Sequence, residues 1–280
     1  MSAGRTRAEP PETPQPAALL AAYDEQLRGA SELEGADDVR RHGPLWWATF
    51  DDGERGFCSY RDLAGADGAA LEELIEATVA HFRDATAVAD LEWKTRGHDP
   101  LVGLGVRLQA HGFVADELET VLIGAAEALA VEMPPPAGVV IRRAGDGAAL
   151  LDDARRVLAQ AAAVFGRDHG PRPERLAARL EQQADAVQLW LAEAGGEVVC
   201  SGRLERVPGT DFAGIWGGGT RPQWRGRGIY RALVAARARA AVAQGARFLH
   251  SDSSPMSAPI LERMGLVRVT TTTPYVWTRP

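Results

Sequence analysis

Lysine is almost missing from this sequence. Lys94 is the only one, and arginine carries the rest of the positive charge. Cysteine is scarce too: Cys58 and Cys200 stand far apart, with no CxxC and no Cys/His ligand spacing. That argues against a structural zinc site, and no metal is expected. Both thiols lie in apolar, strand-like runs, so two buried free thiols are expected, as suits a reducing compartment. No apolar run is long enough to span a bilayer. The stretch Met1 to Pro16 lacks the apolar core of a signal peptide. Rich in Pro, Glu, Thr and Arg, it reads as a disordered tail. A cytoplasmic location without a membrane partner is expected. A basic balance is lacking as well: the net charge is −7. That sets a general nucleic-acid-binding surface aside.

What is present suits a globular chain. Its 280 residues are 45% hydrophobic and 25% charged, enough for two domains of ordinary size. Ala17 to Leu33 reads as a helix, with Leu19, Leu20, Tyr23 and Leu27 at helical spacing. Leu45 to Phe50 and Gly56 to Leu63 read as strands around an Asp51-Asp52-Gly53 turn. An amphipathic helix is expected at Gly68 to Phe82, a strand at Val88 to Thr95 and a proline-led helix at Pro100 to Ala110. Leu118 to Ile123 is the next strand. Pro134, Pro135 and Pro136 can continue neither a helix nor a central strand. The domain boundary is therefore placed at a linker, 133–138, between domains at 17–132 and 139–280.

The second part opens with a strand at Val139 to Arg142. Helices at Ala148 to Phe165 and Pro173 to Gln183 follow. Strands are expected at Ala186 to Ala194, Glu197 to Val207 and Asp211 to Thr220, joined by Gly195-Gly196 and Pro208-Gly209-Thr210 turns. Then come a long helix, Ile229 to Gln244, a strand, Phe248 to Ser251, a short helix, Ser257 to Met264, and a last strand, Leu266 to Trp277. The two parts echo each other. Leu108 to Val114 and Leu261 to Val267 both run from an apolar residue through Gly to two apolar residues. Duplication of one fold is one reading; coincidence is the other, because helix–Gly–strand junctions are common.

The most informative stretch is Thr220-Arg221-Pro222-Gln223-Trp224-Arg225-Gly226-Arg227-Gly228-Ile229-Tyr230-Arg231. A strand ends, a loop with two glycines follows, and a long helix begins. Free N–H groups and the helix dipole attract an anion at such a point. Gly226 and Gly228 remove Cβ atoms where a phosphate must approach the backbone. Arg221, Arg225, Arg227 and Arg231 surround it. No Lys-Ser or Lys-Thr follows the glycines, which excludes a Walker loop. A dinucleotide fingerprint would lack its third glycine, since Arg231 stands there, and the early βαβ setting is missing. A plain helix start with solvated arginines is the bland alternative.

Gln223-Trp224-Arg225-Gly226-Arg227-Gly228 resembles the Q/R-x-x-G-x-G/A motif of the GCN5-related N-acetyltransferase (GNAT) superfamily. The element order of the whole second part is similar as well. The resemblance implies an α/β (α+β) fold of two GNAT-like domains, each a mixed central sheet flanked by helices, with the N-terminal copy shortened and degenerate. It implies acetyl-CoA as co-substrate. Main-chain amides of Arg225, Gly226, Arg227, Gly228 and Ile229 would hold the pyrophosphate. Gly218, Gly219 and Thr220 would hold the pantetheine arm where two strands splay, and Ser257 or Ser254 would bond the coenzyme where the family often has asparagine. Gly217 to Gly219 would leave room, even for an acyl group larger than acetyl. The first part has no counterpart of the glycine loop, so its expected role is to wall the acceptor site or stabilise the other half.

Acyl transfer to an amine needs a base for the ammonium and an acid for the leaving thiolate. The family often supplies a tyrosine before the Gly-aromatic pair and a carboxylate on the strand before the motif. Here Leu261 and Gly214 occupy those positions, with Trp216 following. The substitutes available are His250, Asp252 and Ser254, at the end of the strand beside the expected thioester. Structural roles stay open: a core histidine for His250, a turn cap for Asp252, and, for Ser257, the N-cap of the short helix. Tyr275, and Trp190, Trp216 and Trp277, are candidates for an acceptor pocket or for ordinary packing. The polar run Glu92 to Asp99 is a candidate interface segment. The expected reaction is acetyl transfer to the amine of a small molecule by direct attack, because no cysteine is placed for a covalent route. A non-catalytic acyl-CoA sensor and a nucleotide-binding regulatory domain are the rival readings. The acceptor and the oligomeric state stay open.

Overall fold

The computed structural model describes residues 15–101, 103–166 and 171–280. The expected tail lies outside the described residues up to residue 14; Gln15 and Pro16 already open the first helix. That helix, α1, spans Pro16–Gln26 and ends sooner than its spacing predicts. Arg28 is extended and Gly29 has φ of 73°, so the chain turns and restarts as a 3₁₀ turn at Gly29–Leu33. Strands β1 (Asp38–His42), β2 (Leu45–Phe50) and β3 (Arg55–Tyr60) follow. β1 is largely charged and exposed, and its sequence gives no apolar alternation to detect. The β2–β3 turn holds Asp51, Asp52 and Gly53, all at positive φ.

Helix α2 (Gly68–Ala85) buries Leu71, Ile75, Thr78 and Phe82 at helical spacing. Then come β4 (Asp90–Arg96), α3 (Leu104–Ala110), a two-residue β5 (Val114–Ala115), β6 (Glu119–Ala125) and a single turn, α4 (Ala126–Leu129). Residues 130–136, with the three prolines, have no regular structure. The rest is β7 (Val139–Arg143), α5 (Ala148–Phe165), α6 (Pro173–Gln182), β8 (Val187–Ala194), β9 (Glu197–Arg206), β10 (Phe212–Thr220), α7 (Ile229–Ala243), β11 (Phe248–Ser253), α8 (Ala258–Arg263) and β12 (Val267–Thr278).

All twelve strands join one sheet. Its order is β1-β2-β3-β4-β12-β6-β11-β10-β9-β8-β7, with β5 also on β12. The order reads alike from both ends, apart from the extra β7. On each side three antiparallel strands lead to one parallel pair, β3 with β4 and β10 with β11. The last strands are exchanged at the centre. β12 pairs with β4, β6 pairs with β11, and β6 and β12 pair with each other. The halves are thereby interlocked. Neither β6 nor β12 pairs with a strand of its own half.

This exchange fixes where side chains go. Trp277 is buried and Tyr275 partly buried against the core of the N-terminal half. The Tyr275 hydroxyl occupies the space where a Cβ on Gly105 would stand. Neither ring reaches an acceptor pocket in the C-terminal half. On the C-terminal side, α7 buries Ala232, Ala235, Ala236, Ala238 and Ala241 with Leu233 and Val234. Alanine is both a strong helix former and small enough for close approach to the sheet. Helix α1 lies across the centre, where Leu19, Tyr23 and Leu27 pack on Val121 and Ile123 of β6 and on Phe212 and Phe248.

Candidate active site

β10 and β11 pair only at Phe212–Gly214 and Phe248–His250. Both strands run on, to Thr220 and Ser253, so they part after Gly214 and His250. The cause on the β10 side is a bulge. Trp216 faces Arg203 and Gly219 faces Ser201, leaving Gly217 and Gly218 opposite Gly202 alone. Gly217 takes φ of 59°. The space beside the next two glycines is already filled. A Cβ on Gly218 would stand 2.8 Å from the Tyr230 ring, and one on Gly219 would stand 2.9 Å from Phe165 and Val164. The expected spare room for a larger acyl group is not there on those faces; these glycines admit protein side chains.

Beyond Thr220 a 3₁₀ turn at Pro222–Trp224 leads into the glycine loop. Gly226 and Gly228 have φ of 75° and 81°, and Gly228 caps α7. No atom lies within 4 Å of a Cβ built on Gly226. The loop is exposed from Arg225 to Arg227, and the first N–H groups of α7 have no partner within the helix. The arginines are not all free. Arg221 donates to the Val198 carbonyl at 2.9 Å, Arg225 to the Thr220 carbonyl at 3.1 Å, and Arg227 lies over the Trp224 ring at 4.7 Å. They brace the loop as well as surrounding it. An open, main-chain-lined helix start beside a parted strand pair fits a chain-like ligand ending in phosphates.

A cavity of about 220 Å³ lies on the α1 side of the sheet. His250 and Asp252 both line it, two residues apart on one face of β11. His250 is buried edge-on between Phe212, at 5.9 Å, and Trp216, at 5.0 Å. Burial pushes its imidazole down to about 4, so it is neutral near pH 7. Among the described residues neither ring nitrogen has a partner, nor does Asp252 Oδ1. The other Asp252 oxygen is paired with Lys94. Burial works against the Asp252 charge, but the Lys94 ammonium outweighs it and holds the carboxyl below its usual range. Ser254 is not brought to this cavity. β11 ends at Ser253, and the Ser254 and Ser257 hydroxyls lie 3.3 Å apart in the turn before α8. Ser257 also faces the Ser254 carbonyl at 3.3 Å.

Residues not singled out from the sequence complete the cavity. Glu205, on β9, stands opposite Gly214, where a family carboxylate was expected and absent. It lines the cavity and is held by Arg203 and Arg179 at 2.7 and 3.2 Å. Gly214 itself is small because the Trp216 indole folds over it, 2.2 Å from where a Cβ would be. Leu261 is a fully buried core residue. Tyr23, Glu32, Phe57 and Lys94 come from the N-terminal half. The only sequence signal for them was the polar run at Glu92 to Asp99, and it does face the other half. Of the three tryptophans, Trp216 alone lines this cavity; Trp190 lies by a separate groove with Met133 and Ile141. Both cysteines are buried and unpaired.

The N-terminal half has the corresponding parting. β3 and β4 pair up to Cys58 and Trp93, then diverge. Polar side chains bridge that end. Ser59 and Arg96 both bond Glu32, while Tyr60 donates to Asp99 at 2.8 Å and Arg28 grips the same carboxylate at 2.8 and 3.0 Å.

Residues 155–265 match the model of the acetyltransferase (GNAT) family. No curated protein matches the chain. Among solved structures, a GCN5-related N-acetyltransferase from Kribbella flavida superposes with a TM-score of 0.64 at 17% identity, covering 93% of this chain and 94% of that one. Another from Sphaerobacter thermophilus gives 0.59 at 17% identity over 85% and 78% of the two chains. A tandem GNAT protein from the clavulanic acid biosynthesis pathway gives 0.53 at 14% identity, over 84% and 78%. At such identities the likeness is one of fold. Residues 155–265, in the C-terminal half, are thus similar to the GNAT acetyltransferase family, and the fold of the chain is shared with these structures.

Proposed function

We propose that the protein transfers an acetyl group from acetyl-CoA to the amine of a small molecule. The observation that carries this reading is the parting of β10 and β11 after Gly214 and His250: β10 runs on toward the open glycine loop, and His250 and Asp252 of β11 line the cavity. Amides of Arg225 to Ile229 receive the pyrophosphate. The pantetheine arm runs between the parted strands beside Gly218, Gly219 and Thr220. The thioester then lies near His250. The neutral amine attacks the thioester carbonyl, the carbon–sulfur bond breaks, the nitrogen gives up a proton and the thiolate takes one. The products are an amide and free CoA. Neutral His250 can accept the amine proton, directly or through water, and Asp252 stabilises the charge so formed. A thiol at Cys200, buried and pushed up to about 11 by that burial, does not serve as a nucleophile.

The symmetry of the strand order supports reading residues 17–132 as a shortened, degenerate copy of 139–280. In that copy the parted strands carry the Glu32–Arg96 and Arg28–Asp99 pairs, so it binds no coenzyme. Its part is to wall the acceptor cavity. The enzyme so proposed is cytoplasmic and uses no metal. Thiol release from acetyl-CoA, followed with a panel of primary amines and by mass spectrometry of the product, tests the reading. Saturable thiol release with amide formation supports it. Binding of acetyl-CoA without thiol release from any amine would favour the sensor reading.

A further inference from the structure

The polar groups of the cavity are unevenly satisfied. Its cations already hold protein oxygens: Lys94 is paired with Asp252, Arg179 with Glu205, and Arg206 with the Val207 and Phe212 carbonyls at 2.7 and 2.6 Å. Two of its carboxylates are engaged as well, Glu32 by Arg96 and Glu205 by Arg179 and Arg203. Glu34, which also lines the cavity, is exposed; among the described residues, the buried polar atoms of the cavity without a partner are one carboxylate oxygen, Asp252 Oδ1, and the two nitrogens of a neutral imidazole, His250. All three are buried. A buried acceptor left unmade is costly, so Asp252 Oδ1 and the unprotonated nitrogen of His250 call for a ligand that donates hydrogen bonds, while the other ring nitrogen is itself a donor. An entering carboxylate or phosphate would find, among the described residues, no free cation beside Asp252. Trp216 stands 5.0 Å from His250, and Tyr23, Leu27 and Phe57 of the other half add apolar surface to the same cavity.

Resting on the transferase reading, we propose that the acceptor is a primary monoamine on a flat apolar body, with no carboxylate or phosphate, and that the N-terminal half selects it through Phe57. The amine is held between Asp252 Oδ1 and His250, and its body lies between Trp216 and Phe57. A second ammonium would find Glu32 and Glu205 already paired.

Phenethylamine and phenylalanine share one body and differ by a carboxylate, and butane-1,4-diamine lacks the ring. These three probes separate the alternatives. With the intact protein and acetyl-CoA, kcat/KM for phenethylamine is expected to exceed that for either of the others by about tenfold or more. Phe57→Ala should lower it by a similar factor and leave the acetyl-CoA Kd unchanged. Equal or better use of phenylalanine or the diamine, or an unaffected Phe57→Ala, overturns the proposal while leaving the transferase reading in place. If no amine is acetylated although acetyl-CoA binds, the transferase reading fails instead. Calorimetry of phenethylamine on the protein–CoA complex then decides the ligand class: tighter binding than phenylalanine, weakened by Phe57→Ala, retains it, and no binding removes it.

Discussion

Lys94 of β4 and Asp252 of β11 form an ion pair that ties the two halves together at the edge of the cavity. They are 158 residues apart in sequence, and the pair joins the chain's only lysine to one of its candidate catalytic residues. Both side chains are largely removed from solvent. Burial works against each charge, and each partner more than offsets it for the other.

Lys94→Met leaves the Asp252 carboxylate buried without its cation. Breaking a buried pair in this way costs about 3–5 kcal/mol, because the remaining charge is uncompensated. Urea unfolding of Lys94→Met should therefore show a large drop in midpoint. The double variant Lys94→Met/Asp252→Leu should recover most of it. A single variant as stable as the parent would mean that the pair does not form.

Buried His250 and half-buried Glu119 set opposing pH dependences. The folded pKa of His250 is depressed by burial to about 4, against about 6.5 when unfolded. Between these values the unfolded chain binds the extra proton, so stability rises with pH there. Glu119 is the reverse. Burial first, then the Asp252 charge, raise it to about 7, so the folded chain holds the extra proton and stability falls as pH rises toward 7. Unfolding free energies measured from pH 4.5 to 7 should change slope in opposite senses in His250→Phe and Glu119→Gln. Identical slopes in both variants and the parent would contradict these environments.

Gly202 faces a fully buried arginine. A Cβ there would stand 2.5 Å from Arg237 Nη1, which donates to the Arg203 carbonyl at 3.0 Å beneath the β10 bulge. Gly202→Ala must push the guanidinium away. A loss of about 1–3 kcal/mol is expected from overpacking, with weaker acetyl-CoA binding because the bulge shifts. Thermal unfolding and calorimetry check both effects.

Much of this architecture could be read from residue order alone. Periodicity located α2, α5 and α7 and strands β2, β9 and β10 to within a residue or two, save for the three-residue overrun at the end of α2. The glycine loop stood where Gln223 to Gly228 predicted. What escaped were features set by distant partners. β6 and β12 are both apolar strands, and nothing in Leu122 or Val267 tells which neighbour each will take, so the exchange was invisible. Lys94, Glu32 and Phe57 reach the cavity only through that exchange. Glu205 looked like an ordinary strand charge beside Arg203 and Arg206. His250 and Asp252 were legible because alternation on one short strand puts them on one face; Ser254 shares that phase, but the strand ends one residue before it.

Calorimetric titration of the purified protein with acetyl-CoA, beside Gly226→Glu, tests the central claim most directly. The substitution places a carboxylate at the open helix start, and circular dichroism verifies that the variant keeps the fold. Saturable binding to the parent and none to the folded variant is the predicted result. No binding to the parent, or equal binding to both, would contradict the account and leave the glycine loop as a helix start alone.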